Sequence, residues 1–238
     1  MMRRLVIFLS LAGSLLVAVA MATDRGEGLL QPTYLVVAVK GKLLRELPEP
    51  EERLQVASEV AAGNVLRTGW RSSAEIVSPE AGARFVVASR TRIRLADDRP
   101  GVLLEVQKGR LRALFDKITE GPSAERIITT PSAILAVRGT EYGVAVSKAG
   151  DTSVVVFSGV VDVTDLGKAT PTVSISAGQF CNIPRGGGPS QPMSHMMNSG
   201  DWSHGQMPGS MSGHGGDSMM GDHGSGRSGS HGSMGHGG

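Results

Sequence analysis

Between residues 23 and 188 this 238-residue chain has no histidine and no methionine, and its one cysteine is Cys181. The commonest catalytic base and the softest metal ligands are therefore missing from most of the chain. A hydrolase built there would need an acid/base scheme without histidine, so the expected protein is not an enzyme and has no catalytic residues. A lone cysteine forms no intramolecular disulfide, so even an oxidising compartment adds no covalent staple, and Cys181 reads as a small buried strand residue. Aromatic residues are scarce, at 4%. The formal net charge of +2 is too small to argue for nucleic acid, and no helix-turn-helix, zinc-finger spacing or aromatic-rich basic strand is present.

The one long apolar run is at the start. Arg3 and Arg4 precede residues 5–19, and small residues follow, which is the layout of a secretory signal over residues 1–22, with Ala20-Met21-Ala22 or Ala18-Val19-Ala20 as the cleavage site. Cleavage would give a periplasmic or secreted protein without stable membrane insertion. The alternative is an uncleaved anchor over residues 5–22, since that run approaches the roughly 20 residues that span a bilayer.

The middle of the chain alternates with period two. Phe85, Val87, Ile93 and Leu95 share one parity and Arg84, Arg90, Arg92 and Arg94 the other, as in a strand with one apolar and one arginine-lined face. Short strand-like runs continue to residue 183, many separated by glycine-bearing breaks. The pattern predicts an all-β fold over residues 34–184: a short-stranded sandwich, roll or β-solenoid-like domain. Helix is expected at most over residues 51–62. Tyr34, Trp70, Phe85, Phe115, Tyr142 and Phe157 are the expected large core members.

At Thr130-Pro131-Ser132, followed by Val137-Arg138-Gly139-Thr140-Glu141-Tyr142, the sequence resembles the FecR-type envelope domain family. That family's signature is a Thr-Pro, a small residue, then Val-Arg-Gly-Thr and an aromatic. Residues 63–69, 109–111, 158–163 and 177–179 match further family segments, so the resemblance spans about residues 34–184. It implies a β-rich, non-enzymatic domain outside the cytoplasmic membrane. In signalling members that domain relays receptor occupancy to a cytoplasmic segment controlling a sigma factor. Only four residues precede the apolar run here, too few for such a segment, so a signalling role would need a separate partner. Physically, Pro131 removes a ladder donor, Gly139 permits a sharp turn at positive φ, and Val137 and Tyr142 bury side chains around it. Arg138 and Glu141 are placed to pair across that turn.

Two further constellations stand out. Arg90, Arg92 and Arg94 form a row that could take an anion, such as a polyanionic envelope component, or else serve as a solvated or guarded sheet edge. From residue 186 to 238, Gly, Ser, His, Met and Asp dominate, and the segment reads as a disordered tail with no core of its own. It holds His195, His204, His214, His223, His231 and His236 together with Met193, Met196, Met197, Met207, Met211, Met219, Met220 and Met234. Imidazole suits copper(II), nickel or zinc and thioether suits copper(I), so a metal-binding tail is expected, although the folded part requires no cofactor. The chain thus reads as an exported FecR-like binding or scaffolding protein of the cell envelope, alternatively as a membrane-anchored accessory of a sigma-factor regulatory system. The expected partner is an envelope protein or polyanion. The sequence is silent on oligomeric state.

Overall fold

A computed structural model describes residues 33–48, 50–95, 100–117, 126–167 and 170–204. The signal or anchor segment lies outside them. The chain forms two sheets around one core, which bears out the all-β reading. The first sheet is ordered β4 (Glu59–Val60), β1 (Tyr34–Lys40), β6 (Ser73–Ser78), β7 (Ala83–Val87), the C-terminal half of β9 (Val102–Phe115), β12 (Glu141–Val146), β13 (Thr152–Ser158), β16 (Gln179–Ile183) and β17 (Met193–Ser194). The second is ordered β3 (Glu52–Leu54), β2 (Leu43–Glu46), β5 (Val65–Thr68), β8 (Arg92–Leu95), the N-terminal half of β9, β10 (Arg126–Thr129), β11 (Ala133–Val137), β14 (Val160–Asp165) and β15 (Val173–Ser176).

These two orders correspond ribbon by ribbon. β1 turns into β2, β3 into β4, β5 into β6, β7 into β8, β11 into β12, β13 into β14 and β15 into β16, while β9 itself bends from one sheet into the other. β10 is inserted beside β9 as its parallel partner. Each of the eight corners carries one residue at positive φ: Gly41, Ala57, Arg71, Arg90, Gly109, Gly139, Gly159 and Gly178. Ala57, Arg71 and Arg90 are the non-glycine residues in that conformation among the described residues, and each costs roughly 1 kcal/mol relative to glycine there. At Gly109 the requirement is also steric, because a Cβ would come 2.5 Å from the Thr91 backbone Cα.

The corners stack by hydrogen bonding. Gly69 N donates to Lys42 O (3.0 Å), Arg90 N to Gly69 O (3.1 Å) and Ala88 N to Arg110 O (3.0 Å), so the corners at 41, 71, 90 and 109 line one long edge. The buried hydroxyls of Ser72 and Thr91 fix these turns, accepting from Lys42 N and Arg110 N at 2.9 Å each. The corners at 139, 159 and 178 line the opposite edge, where Ala177 N donates to Gly159 O at 3.0 Å and Thr140 Oγ1 to Val160 O at 2.9 Å.

The period-two reading from Phe85 to Leu95 holds across a corner. Phe85, Val87, Ile93 and Leu95 are all buried in the core, two from each sheet. Helix over 51–62 is not what forms. β3 and β4 occupy that stretch, because Ala57 N donates to Val36 O and Val36 N donates to Ser58 O, tying it edge-on to β1. Tyr34, Phe85, Phe115 and Tyr142 are buried as expected, but Trp70 is 66% exposed.

The packed structure also continues past the expected boundary at residue 186. Ser190 N donates to Asn182 O and His195 N to Gly178 O, β17 extends the first sheet, and α1 (Ser199–His204) follows. Asn198 and Asp201 cap α1 reciprocally, with Asp201 N donating to Asn198 Oδ1 at 2.9 Å. Trp202, 2% exposed, forms a second apolar cluster with Ala145, Val155 and Phe180 on the outer face of the first sheet. The disorder expected of 186–238 therefore does not describe its first part, since Trp202 has an apolar floor to cover. Residues 205–238 lie outside the described residues.

Candidate functional site

The signature residues build scaffold. Thr130 Oγ1 accepts from Ala133 N (2.9 Å) and from Thr152 Oγ1 (2.8 Å), closing the β10–β11 turn and pinning it to β13. Ser132 Oγ lies 2.7 Å from Thr152 Oγ1 and 3.1 Å from Ile183 O, which extends the buried hydroxyl network to β16. Pro131 sits in that turn, half-buried. Val137 is buried at the end of β11, Gly139 turns the corner at φ +56, and Thr140 bridges to the next corner. Tyr142 stacks on Phe115 at 6.1 Å between ring centroids, and full burial pushes its phenol well above the usual range. The expected pairing of Arg138 with Glu141 does not form. Glu141 lies 3.2 Å from Arg112 on the neighbouring β9 instead, because β12 turns it toward that strand while Arg138 stays on the exposed corner.

The arginine row is divided by the same bending. Arg84 lies on β7 in the first sheet, paired with Glu75. Arg92, in the second sheet, makes a bidentate pair with Glu46 (2.6 and 2.9 Å) and a contact to Gln107, and Arg94 stands opposite Glu105 in the register. The Arg92 guanidinium holds the Glu46 carboxyl below its ordinary range. Arg67 and Arg45 add pairs to Glu51 and Glu52, so this face is a charge-balanced lattice rather than a cationic field. Arg90 leaves the row altogether and sits on a corner.

There it meets Trp70, a residue that sequence reasoning placed in the core. The Arg71 guanidinium lies 4.5 Å from the Trp70 ring centroid and that of Arg90 6.0 Å from it. Exposed Lys40, Lys42 and Lys108 flank this cluster on adjoining corners. The missed signal was local: Gly69-Trp70-Arg71-Ser72 falls between two strand patterns, where an aromatic has no strand face to bury. Beyond Gly109 the same edge opens into a pocket of about 350 Å³, lined among others by Arg110, Ser147, Ser153 and Asn182. Burial lowers the Arg110 pKa from its ordinary value.

Of the expected metal ligands, His195 is engaged in the fold. Its Nδ1 accepts from Met197 N (3.0 Å), which leaves the proton on Nε2 to donate to Val156 O (3.2 Å), and its ring meets Phe157 edge-on. Met197 packs against the Trp202 cluster, while Met193 and Met196 are exposed. His204 ends α1. His214, His223, His231, His236, Met207, Met211, Met219, Met220 and Met234 lie outside the described residues. Among the described residues no three His, Cys, Asp or Glu side chains converge as a metal site. Cys181 is buried, with its thiol pushed up by that burial. No helix among the described residues is long and apolar enough to cross a membrane.

Comparison with known proteins agrees with the signature. The family model described as FecR protein matches residues 64–162, from just before β5 into β14. No curated protein matches the chain. Two crystal structures of a protein proposed to be an anti-sigma factor, from Parabacteroides distasonis, are similar at 13% identity and a TM-score of 0.45, covering 55% of this chain and 59% of that one. The chain thus spans less than two thirds of the solved structures it resembles.

Proposed function

We propose that the chain is an exported, non-enzymatic envelope protein whose FecR-type domain acts by binding a partner, as an element of an envelope signalling system. The observation that carries this reading is the FecR match over residues 64–162. Within it the signature hydroxyls and the corner glycine are spent on turn geometry, so recognition falls to the exposed corners. Binding and scaffolding are one activity here: a rigid two-sheet body presents loops whose positions are fixed by the corner ladders.

The test is to express the full chain with an affinity tag replacing nothing, determine the N-terminus of the accumulated protein, and crosslink it in intact cells. The reading expects an N-terminus at residue 21 or 23, recovery outside the cytoplasm, and one envelope protein crosslinked in stoichiometric yield. Recovery in the cytoplasm, or a crosslinking pattern identical to that of an unrelated exported protein, overturns it. Retention of Met1 or Met2 with membrane association would instead select an anchored accessory.

A further inference from the structure

The edge formed by the corners at 41, 71, 90 and 109 differs from its counterpart in three independent ways. First, it exposes a tryptophan, Trp70, at 66%, held against two guanidinium groups. Second, those guanidiniums belong to Arg71 and Arg90, which adopt φ +52 and +54 where the corners at 139, 159 and 178 have glycine. Both side chains are exposed, so no burial in the core offsets that strain. Third, the segments 40–42, 69–73, 88–91 and 107–110 contain Lys40, Lys42, Arg71, Arg90, Lys108 and Arg110 and no Asp or Glu. By contrast, on the charge-balanced face of the second sheet Arg45, Arg67 and Arg92 each have a carboxylate partner.

We propose that this edge is a binding site for an acidic polysaccharide, with Trp70 stacking on a sugar ring and Arg71 and Arg90 holding the acid groups beside it. An aromatic face with flanking guanidiniums presents an apolar platform and fork-shaped donors together, the combination that a pyranose with a carboxylate or sulfate offers the complement to. The corners repeat at the strand spacing of about 4.8 Å, which is about the length of one sugar residue. A linear chain of acidic sugars therefore runs along the edge in step with the cations, past Lys108 as far as Arg110; the pocket beyond is lined by Asp151 as well as Ser147, Ser153 and Asn182, so it takes sugar hydroxyls rather than acid groups. A lipid surface fits less well, because one tryptophan on a narrow ridge buries little apolar area. This inference rests on the reading of the domain as a binding module and names the class of its ligand.

The experiment uses the full exported chain and titrates it by calorimetry with polygalacturonate, with neutral dextran, with polyphosphate, and with vesicles of phosphatidylglycerol and phosphatidylcholine. The expected result is binding of polygalacturonate, none of dextran, and a loss of about tenfold or more in affinity for Trp70→Ala and for Arg71→Gly/Arg90→Gly. The arginine-to-glycine variant also reports on folding: its melting temperature stays the same or rises, because the strain is removed. Equal affinity for polyphosphate and polygalacturonate with Trp70→Ala unaffected reduces the edge to a charged surface and overturns the proposal. So does binding of vesicles without polygalacturonate, or no binding of any probe. If the envelope partner crosslinks equally to Trp70→Ala and to the parent while polygalacturonate does not bind, the binding function stands and this site falls.

Discussion

Replacing Trp202 by alanine should destabilise the whole domain, although the residue lies in a stretch whose composition is that of a tail. The Trp202 side chain is 2% exposed over Ala145, Val155 and Phe180, with Phe157 and Met197 at its margin. It sits so close on β12 that a Cβ at Gly143 would come 2.7 Å from its Cδ2. A tryptophan buries about 150–250 Å², worth roughly 4–6 kcal/mol at about 25 cal/mol per Å². Its indole Nε1 is buried without a hydrogen-bond partner, which takes back about 1–3 kcal/mol. The net is about 3 kcal/mol, within the range for aromatic-to-alanine changes in a core. For a domain of this size that lowers the melting temperature by roughly 6–12 °C. Thermal unfolding followed by far-ultraviolet circular dichroism measures it, and a chain ending at residue 188 should show a similar loss. If both variants melt within a degree of the parent, the docked segment contributes nothing and the boundary at 186 was right after all.

Gly139→Val should cost about 2 kcal/mol or more, from the left-handed conformation and from a Cβ 3.1 Å from the Lys117 Cα, and chemical denaturation reads this directly. Tyr142→Phe should leave stability unchanged or raise it by about 1 kcal/mol, since the buried phenol oxygen has no hydrogen-bond partner to lose; a loss of 2 kcal/mol or more refutes that. For Glu46 the folded pKa is depressed, so its contribution is complete above the unfolded carboxylate value of about 4.3 and is lost as pH falls below it. The stability gap between parent and Glu46→Gln should therefore be present at pH 7 and close near pH 3, and a gap independent of pH counts against the Arg92 pairing. Copper(II) or nickel titration of the full chain should give weaker binding as pH falls through about 6.5, with His195→Ala reducing stability rather than the number of ions bound. A chain ending at residue 188 that takes up as much metal removes the tail from consideration.

The all-β class and most strand positions were legible because alternation survives a corner: Phe85 and Leu95 keep the same parity on either side of Arg90. What alternation does not encode is the bend itself, so a continuous arginine face was read where three surfaces exist. A glycine-bearing break reads as the end of a strand, yet at Gly109 the chain continues as one 14-residue strand, Val102–Phe115, bent at that glycine. The docked Trp202 was also announced upstream. In β12 and β13 both parities are buried, from Tyr142 to Val146 and from Thr152 to Val156, which means an element covers the outer face as well. The small pair Gly143 and Ala145 is the floor of that cover. Composition outweighed this signal, since one aromatic in a glycine-rich stretch looks like no core when its partners are counted only within the stretch. Trp70 failed for the converse reason: an aromatic was assigned to the core by type, whereas the two strained arginines that hold it outside are visible only in the backbone.

Among the described residues, β9 is the one element hydrogen-bonded within both sheets, to β7 and β12 through its second half and to β8 and β10 through its first. During folding this strand has to wait for partners from both directions along the chain. β7 and β8 are at hand, but β12 arrives from more than twenty residues away, and the parallel pairing with β10 gains nothing until a crossover has closed. The rate-limiting barrier should accordingly lie at the pairing of β9 with β12, so that a substitution such as Leu111→Ala slows refolding, while Trp202→Ala, which removes a late cover, chiefly speeds unfolding.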